Sequence, residues 1–203
     1  SQASEISGRL YHGYSQEPQS FENVVQLIRY MADFYDSIRF LCDRNKTVFF
    51  DAEHFFDGYK ENPDYALDTL RTAKNAGAKL LVLCDTNGAT LPEDISAIVK
   101  TVVKTFKRAK IGIHCHDDLG LAVANTIAAV DAGATHIQGT FLGFGERCGN
   151  CNLVTAILDL QLKKGYDILP EDSIKKFTDT ARRIAEITNV RLPKNTPYVG
   201  KAA

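Results

Sequence analysis

Ala109-Lys110-Ile111-Gly112-Ile113-His114-Cys115-His116-Asp117-Asp118-Leu119-Gly120 is an apolar run that ends in two histidines, two acids and a glycine. Up to Ile113 it has the pattern of a short buried strand, and Leu119 to Ala132 has the pattern of a helix. The histidines therefore fall at a strand end, just before a βα loop. His114 and His116 are two residues apart, which on a strand puts both imidazoles on one face. Two imidazoles converging from one strand end make a natural ligand pair for a divalent transition metal.

The same unit recurs on either side. Val48 to Asp51 reads as a strand and Asp64 to Ala76 as a helix; Leu80 to Cys84 as a strand and Pro92 to Phe106 as a helix. After the histidine unit, His136 to Thr140 reads as a strand and Leu153 to Lys164 as a helix. Gly77 and Gly133 stand where a left-handed residue closes a helix. Short, continuous apolar strands separated by helices point to an α/β fold with a parallel sheet covered on its faces. Flanking helices are expected over Phe21 to Leu41, with Val24, Leu27, Ile28, Met31, Tyr35 and Ile38 in step, and over Glu171 to Ile187. In the second, Ile174, Phe177, Ala181, Ile184 and Ile187 share one face. Ser1 to Gln19 shows no periodicity, and Arg191 to Ala203, with Pro193 and Pro197, reads as an extended linker. The expected organisation is a segment 1–45 with a flanking helix, four βα units over 46–168, and a helix and tail over 169–203.

With 203 residues, a chain of this composition can build a sizeable core. Its net charge of −1 gives no reason to expect nucleic acid or an anionic membrane as partner. No apolar stretch is long enough to span a bilayer and no signal peptide is visible, so a cytoplasmic location is expected. The five scattered cysteines fit a reducing compartment. Cys148 and Cys151 have CxxC spacing, but a single such pair is weak support for zinc or redox chemistry, and they read as incidental.

Each strand end offers polar groups to the same edge: Asp51-Ala52-Glu53-His54, Asp85-Thr86-Asn87-Gly88, the HxH pair, and Gly143 to Asn150. Their convergence is more informative than any one of them. Asp51 and Glu53 alone would pass as solvated loop acids or helix N-terminal charges, and Asp85-Thr86 as a loop cap. His12, His54 and His136 have no partner at ligand spacing and read as structural or surface.

His114-Cys115-His116-Asp117-Asp118-Leu119-Gly120-Leu121-Ala122-Val123-Ala124-Asn125 resembles the HxH signature of the 2-isopropylmalate, homocitrate and citramalate synthases. These are metal-dependent Claisen-condensing TIM barrels of the DRE-TIM metallolyase superfamily. Gly143 to Asn150 resembles their GxGERxGN signature. Phe49-Phe50-Asp51-Ala52-Glu53-His54-Phe55-Phe56-Asp57-Gly58-Tyr59 and Leu83 to Gly88 are similar to the citramalate synthase branch in particular. The likeness runs from about Phe40 to Gly200, and the first forty residues match poorly.

The resemblance implies condensation of acetyl-CoA with a short 2-oxo acid, pyruvate first, on a divalent metal (Zn, Mn, Mg or Co). It implies His114 and His116 as ligands, Asn150 as a weaker third, and Thr86 on the substrate carboxylate. Glu146 and Arg147 would organise the last loop. The Asp-Arg-Glu motif of the family's first strand is absent from the sequence, so the four units correspond to barrel strands five to eight. The expectation is a half-barrel, inactive alone, completed by another half-barrel, either a second copy or an N-terminal half. Three alternatives remain: a different metal-dependent enzyme such as a hydrolase, a sister synthase taking another 2-oxo acid, and a non-catalytic half-barrel module.

Overall fold

The computed structural model describes residues 21–202, with side chains from residue 29 onward. The unpatterned Ser1 to Gln19 segment and the helix-face side chains of Val24, Leu27 and Ile28 lie outside the described residues. Four parallel strands form one sheet in the order β1 (Phe49–Ala52), β2 (Leu80–Asp85), β3 (Lys110–Cys115), β4 (His136–Gln138). Helices connect them: α1 (Phe21–Cys42) precedes β1, α2 (Phe55–Glu61) and α3 (Pro63–Ala76) follow it, and α4 (Pro92–Thr105) and α5 (Ala122–Asp131) follow β2 and β3. The chain continues through α6 (Leu153–Leu158), which runs on as a π-helical turn, to α7 (Glu171–Ile174) and α8 (Phe177–Ile187).

All six residues of β2 are buried, as its unbroken apolar sequence requires of a strand covered on both faces. Alternation sends Phe50, Leu81, Leu83, Ile111 and Ile113 to the helix side. There they pack under Phe34 and Ile38 of α1, Leu70 of α3, and Ile95 and Val99 of α4. Each such burial contributes about 1.5–3 kcal/mol. The opposite face carries a separate cluster, Leu80, Val82 and Cys84. On this face the first and last strands meet: Gln138 Nε2 donates to Asp51 Oδ1 at 3.2 Å, and the rings of Phe49 and His136 lie 5.7 Å apart. The sheet is thus curled like a segment of barrel wall, with the site edge along its concave side.

Gly77 and Gly133 take φ of 113° and 110° after α3 and α5, as expected of helix-closing glycines. Other boundaries differ from expectation. The helix after β3 starts at Ala122 rather than Leu119, because Gly120 N–H turns back onto the Asp117 carbonyl and Asp117 Oδ1 accepts from Ala122 N–H at 2.8 Å. Helix α2 was not foreseen; it is one short segment ended at Asn62, whose side chain caps α3 by accepting from Tyr65 N–H. The expected 171–187 helix breaks into α7 and α8, and Ile187 is 74% exposed rather than on the buried face. The tail is not an extended linker. Val199 is buried with Val154, Leu158, Phe177 and Ala181, and the Tyr198 hydroxyl donates to Asp159.

Candidate metal centre

Register places the first part of the site. Cys84, His114 and Gln138 stand side by side on β2, β3 and β4. The second part comes from the loop after β4, which returns to the end of β3. Asp117 N–H donates to the Gly149 carbonyl, Cys151 N–H donates to the Cys115 carbonyl, and Asn150 pairs antiparallel with His116. That pairing carries Asn150 to the histidines, 36 residues from His114 in sequence. Leu142 and Arg147 in the same loop, and His54 after β1, hold left-handed backbone at φ of 68°, 54° and 54°. Such conformations are unfavourable for residues with a β-carbon and gather where a loop is over-determined by its contacts.

His114 Nε2 lies 3.2 Å from Asn150 Oδ1, and its Nδ1 lies 2.9 Å from Gln138 Oε1. Asn150 Nδ2 donates to the Phe144 carbonyl at 3.0 Å, which turns Oδ1 toward His114. The His116 ring centroid is 5.2 Å from that of His114, and its buried Nδ1 has no hydrogen-bond partner. An orphaned imidazole nitrogen beside a second imidazole and an amide oxygen is a donor set suited to a divalent transition metal. Among the described residues no group of three or more His, Cys, Asp or Glu side chains is placed to hold a metal, so these residues make a partial site. Burial, reinforced by the neighbouring His114, pushes the His116 imidazole below its ordinary 6.5, toward the neutral form a ligand needs. The cysteines are poor competitors. Burial pushes the Cys84 and Cys115 thiols well up and Cys151 to about 11, so they stay protonated near neutrality, while Cys148 is exposed.

Thr86 is held by the first loop. Its hydroxyl donates to Glu53 Oε2 and accepts from His54 N–H, both at 2.7 Å. Its neighbour Asp85 turns inward as a loop cap, accepting from the Thr90 hydroxyl at 2.9 Å, and burial raises its carboxyl above the usual carboxylate range. Arg147 ties three loops together, donating to Asp118, to Glu146 and to the Thr86 carbonyl, in keeping with an organising role. That contact holds the Asp118 carboxyl below its ordinary value. Burial raises the Asp51 carboxyl, against the hydrogen bond from Gln138. Nothing in the sequence alone singles out Gln138, and Asp51 and Glu53 read there as solvated loop acids or helix N-terminal charges.

The chain matches the HMGL-like family profile over residues 3–189, further toward the N-terminus than the quoted motifs extend. It is 52% identical over 169 residues to the (R)-citramalate synthase of Aquifex aeolicus, covering 83% of this chain and 32% of that protein. It is 48% identical over 180 residues to the (R)-citramalate synthase of Synechocystis, covering 85% and 33%. With a 2-isopropylmalate synthase of Bacillus thuringiensis it shares 36% identity over 161 residues, covering 77% and 31%. The chain thus spans about a third of the length of these relatives. Among solved structures it is similar to the Bacillus subtilis HMG-CoA lyase, with a TM-score of 0.69 at 20% identity over 91% of this chain and 62% of that one. The carboxyl transferase domain of Rhizobium etli pyruvate carboxylase has a TM-score of 0.60 at 17% identity, over 76% and 26%. At these identities the structural likeness speaks to the fold.

Proposed function

Because this chain belongs to the HMGL-like family, we propose that it supplies the His114, His116 and Asn150 part of a metal-dependent acyltransferase site that condenses acetyl-CoA with pyruvate to give citramalate. The observation that carries the chemistry is His114 Nε2 facing Asn150 Oδ1 at 3.2 Å, with the His116 ring, whose buried Nδ1 has no hydrogen-bond partner, 5.2 Å from the His114 ring. The choice of pyruvate rests on the higher identity to citramalate synthases than to 2-isopropylmalate synthases.

A divalent cation bound by these residues supplies Lewis acidity to the ketone of the 2-oxo acid. Thr86 offers its hydroxyl to the substrate carboxylate, exchanging its present bond to Glu53. That exchange frees a Glu53 carboxylate oxygen to take a proton from the acetyl methyl group. The resulting enolate carbon attacks the keto carbon, the keto oxygen takes up the proton that Glu53 removed, and water then adds to the thioester carbonyl and coenzyme A leaves as the thiol. Arg147 keeps the loops in register while its guanidinium stays engaged with Asp118 and Glu146. The concave face and the edges of β1 and β4, which pair with no further strand among the described residues, are of the kind that another half-barrel would complete.

The test is thiol release from acetyl-CoA. The 203-residue chain alone is expected to give none, since His114, His116, Asn150, Thr86 and Glu53 include no cationic side chain to hold the enolate, and one preorganised donor is worth about 10²–10³ in rate. Adding a polypeptide with the first four strands of a citramalate synthase barrel should produce pyruvate-dependent release that His114→Ala abolishes. Turnover by the chain alone overturns the half-site reading, and a preference for 2-oxoisovalerate overturns the choice of substrate.

A further inference from the structure

We infer that Asp51, acting through Gln138, is a positioning residue that fixes which ring nitrogen of His114 carries the proton. The inference rests on the metal-site reading only for its consequence, not for its geometry. Asp51 sits on β1 and His114 on β3, and Gln138 of β4 bridges them across the concave face. An ionised carboxylate can only accept, so Asp51 Oδ1 compels Gln138 to present its amide nitrogen, at 3.2 Å. The Gln138 carbonyl oxygen is then left facing His114 Nδ1 at 2.9 Å. An oxygen there requires a donor, so Nδ1 holds the proton, and in the neutral ring a ligand needs, Nε2 keeps its lone pair.

At Nε2 the lone pair meets Asn150 Oδ1 at 3.2 Å, whose own orientation is set by the bond from Asn150 Nδ2 to the Phe144 carbonyl. Two acceptors are thus held face to face, each aligned by a separate hydrogen-bond chain. Two acceptors so placed repel each other, and a divalent cation held by both residues would relieve that repulsion. Outer-shell partners of this kind orient ligand histidines, and their loss typically weakens metal binding about 10–100-fold. The device spans three strands and needs the curl of the sheet, since Asp51 and Gln138 stand on the first and last strands of the sheet order.

Asp51→Asn tests this at nearly constant size. An asparagine amide can accept or donate, so neither Gln138 nor His114 is held to one orientation. Imidazole ¹⁵N shifts of the metal-free chain should show His114 protonated at Nδ1 in the wild type and a mixture of tautomers in Asp51→Asn. Cobalt affinity, read by titration, should fall about 10–100-fold alongside. Asp51→Asn combined with Gln138→Glu restores an acceptor-only group next to Nδ1, and with it the wild-type tautomer. A wild-type His114 protonated at Nε2, an unchanged tautomer in Asp51→Asn, or no restoration in the double variant each overturn the inference. Cobalt binding equal in wild type and His114→Ala, with the tautomer responses intact, defeats the metal reading and leaves the positioning role standing.

Discussion

Gly145→Ala is a one-methyl probe of the site. A β-carbon at 145 falls directly on Asn150 Nδ2, 3.0 Å from Asn150 Cγ and 3.1 Å from its backbone nitrogen. Carbon contacts of optimal energy lie at about 3.5–4.0 Å, so the amide must swing by something like 1 Å. It cannot do so and keep both Oδ1 at 3.2 Å from His114 Nε2 and Nδ2 at 3.0 Å from the Phe144 carbonyl. Losing an oriented ligand contact corresponds to about 1.4–2.8 kcal/mol, a 10–100-fold drop in cobalt affinity. Isothermal titration of wild type, Gly145→Ala, Asn150→Ala and the double variant checks this. Because the methyl acts through Asn150, the double variant should bind like Asn150→Ala alone. Wild-type affinity in Gly145→Ala, or losses that simply add, would refute the reasoning.

Leu83→Ala, in the fully buried middle of β2, should destabilise the chain by about 2–5 kcal/mol, at roughly 2–4 °C per kcal/mol in a thermal melt. The metal-free chain should lose stability as pH falls below 6.5. Burial depresses the folded-state value of His116, so the unfolded chain takes the proton first. The contribution is complete above 6.5 and is lost as pH falls through the folded value; urea midpoints at several pH values should show a loss that His116→Gln removes. The edges of β1 and β4 pair with no further strand among the described residues, and with Phe49 half exposed on the concave side they predict association of the 203-residue chain at micromolar concentration. Sedimentation showing a concentration-independent monomer would contradict it.

The strand and helix sequence was legible because its signals are local. β2 and β3 are unbroken apolar runs, and Gly77 and Gly133 mark helix ends whose backbone favours glycine. The HxH pair was legible for the same reason, since alternation along one strand places both imidazoles. Helix α2 and the break between α7 and α8 were hidden, being too short for periodicity to separate from loop. The tail read as a linker because Pro193 and Pro197 rule out regular structure but say nothing of packing; Val199 finds its place only against α6 and α8. Within the site, the residue types of His114, His116, Thr86 and Asn150 were visible in the sequence, whereas their partners were not. Which atom faces which depends on register, on the antiparallel return of Asn150 to His116, and on a sheet curled enough for Asp51 to reach Gln138. Those are long-range contacts, and no local propensity encodes them. The chain therefore carries its strands, helices and ligand types in its sequence, while the orientation of the His114 imidazole is decided only when β1, β4 and the loop after β4 bring Asp51, Gln138 and Asn150 to it.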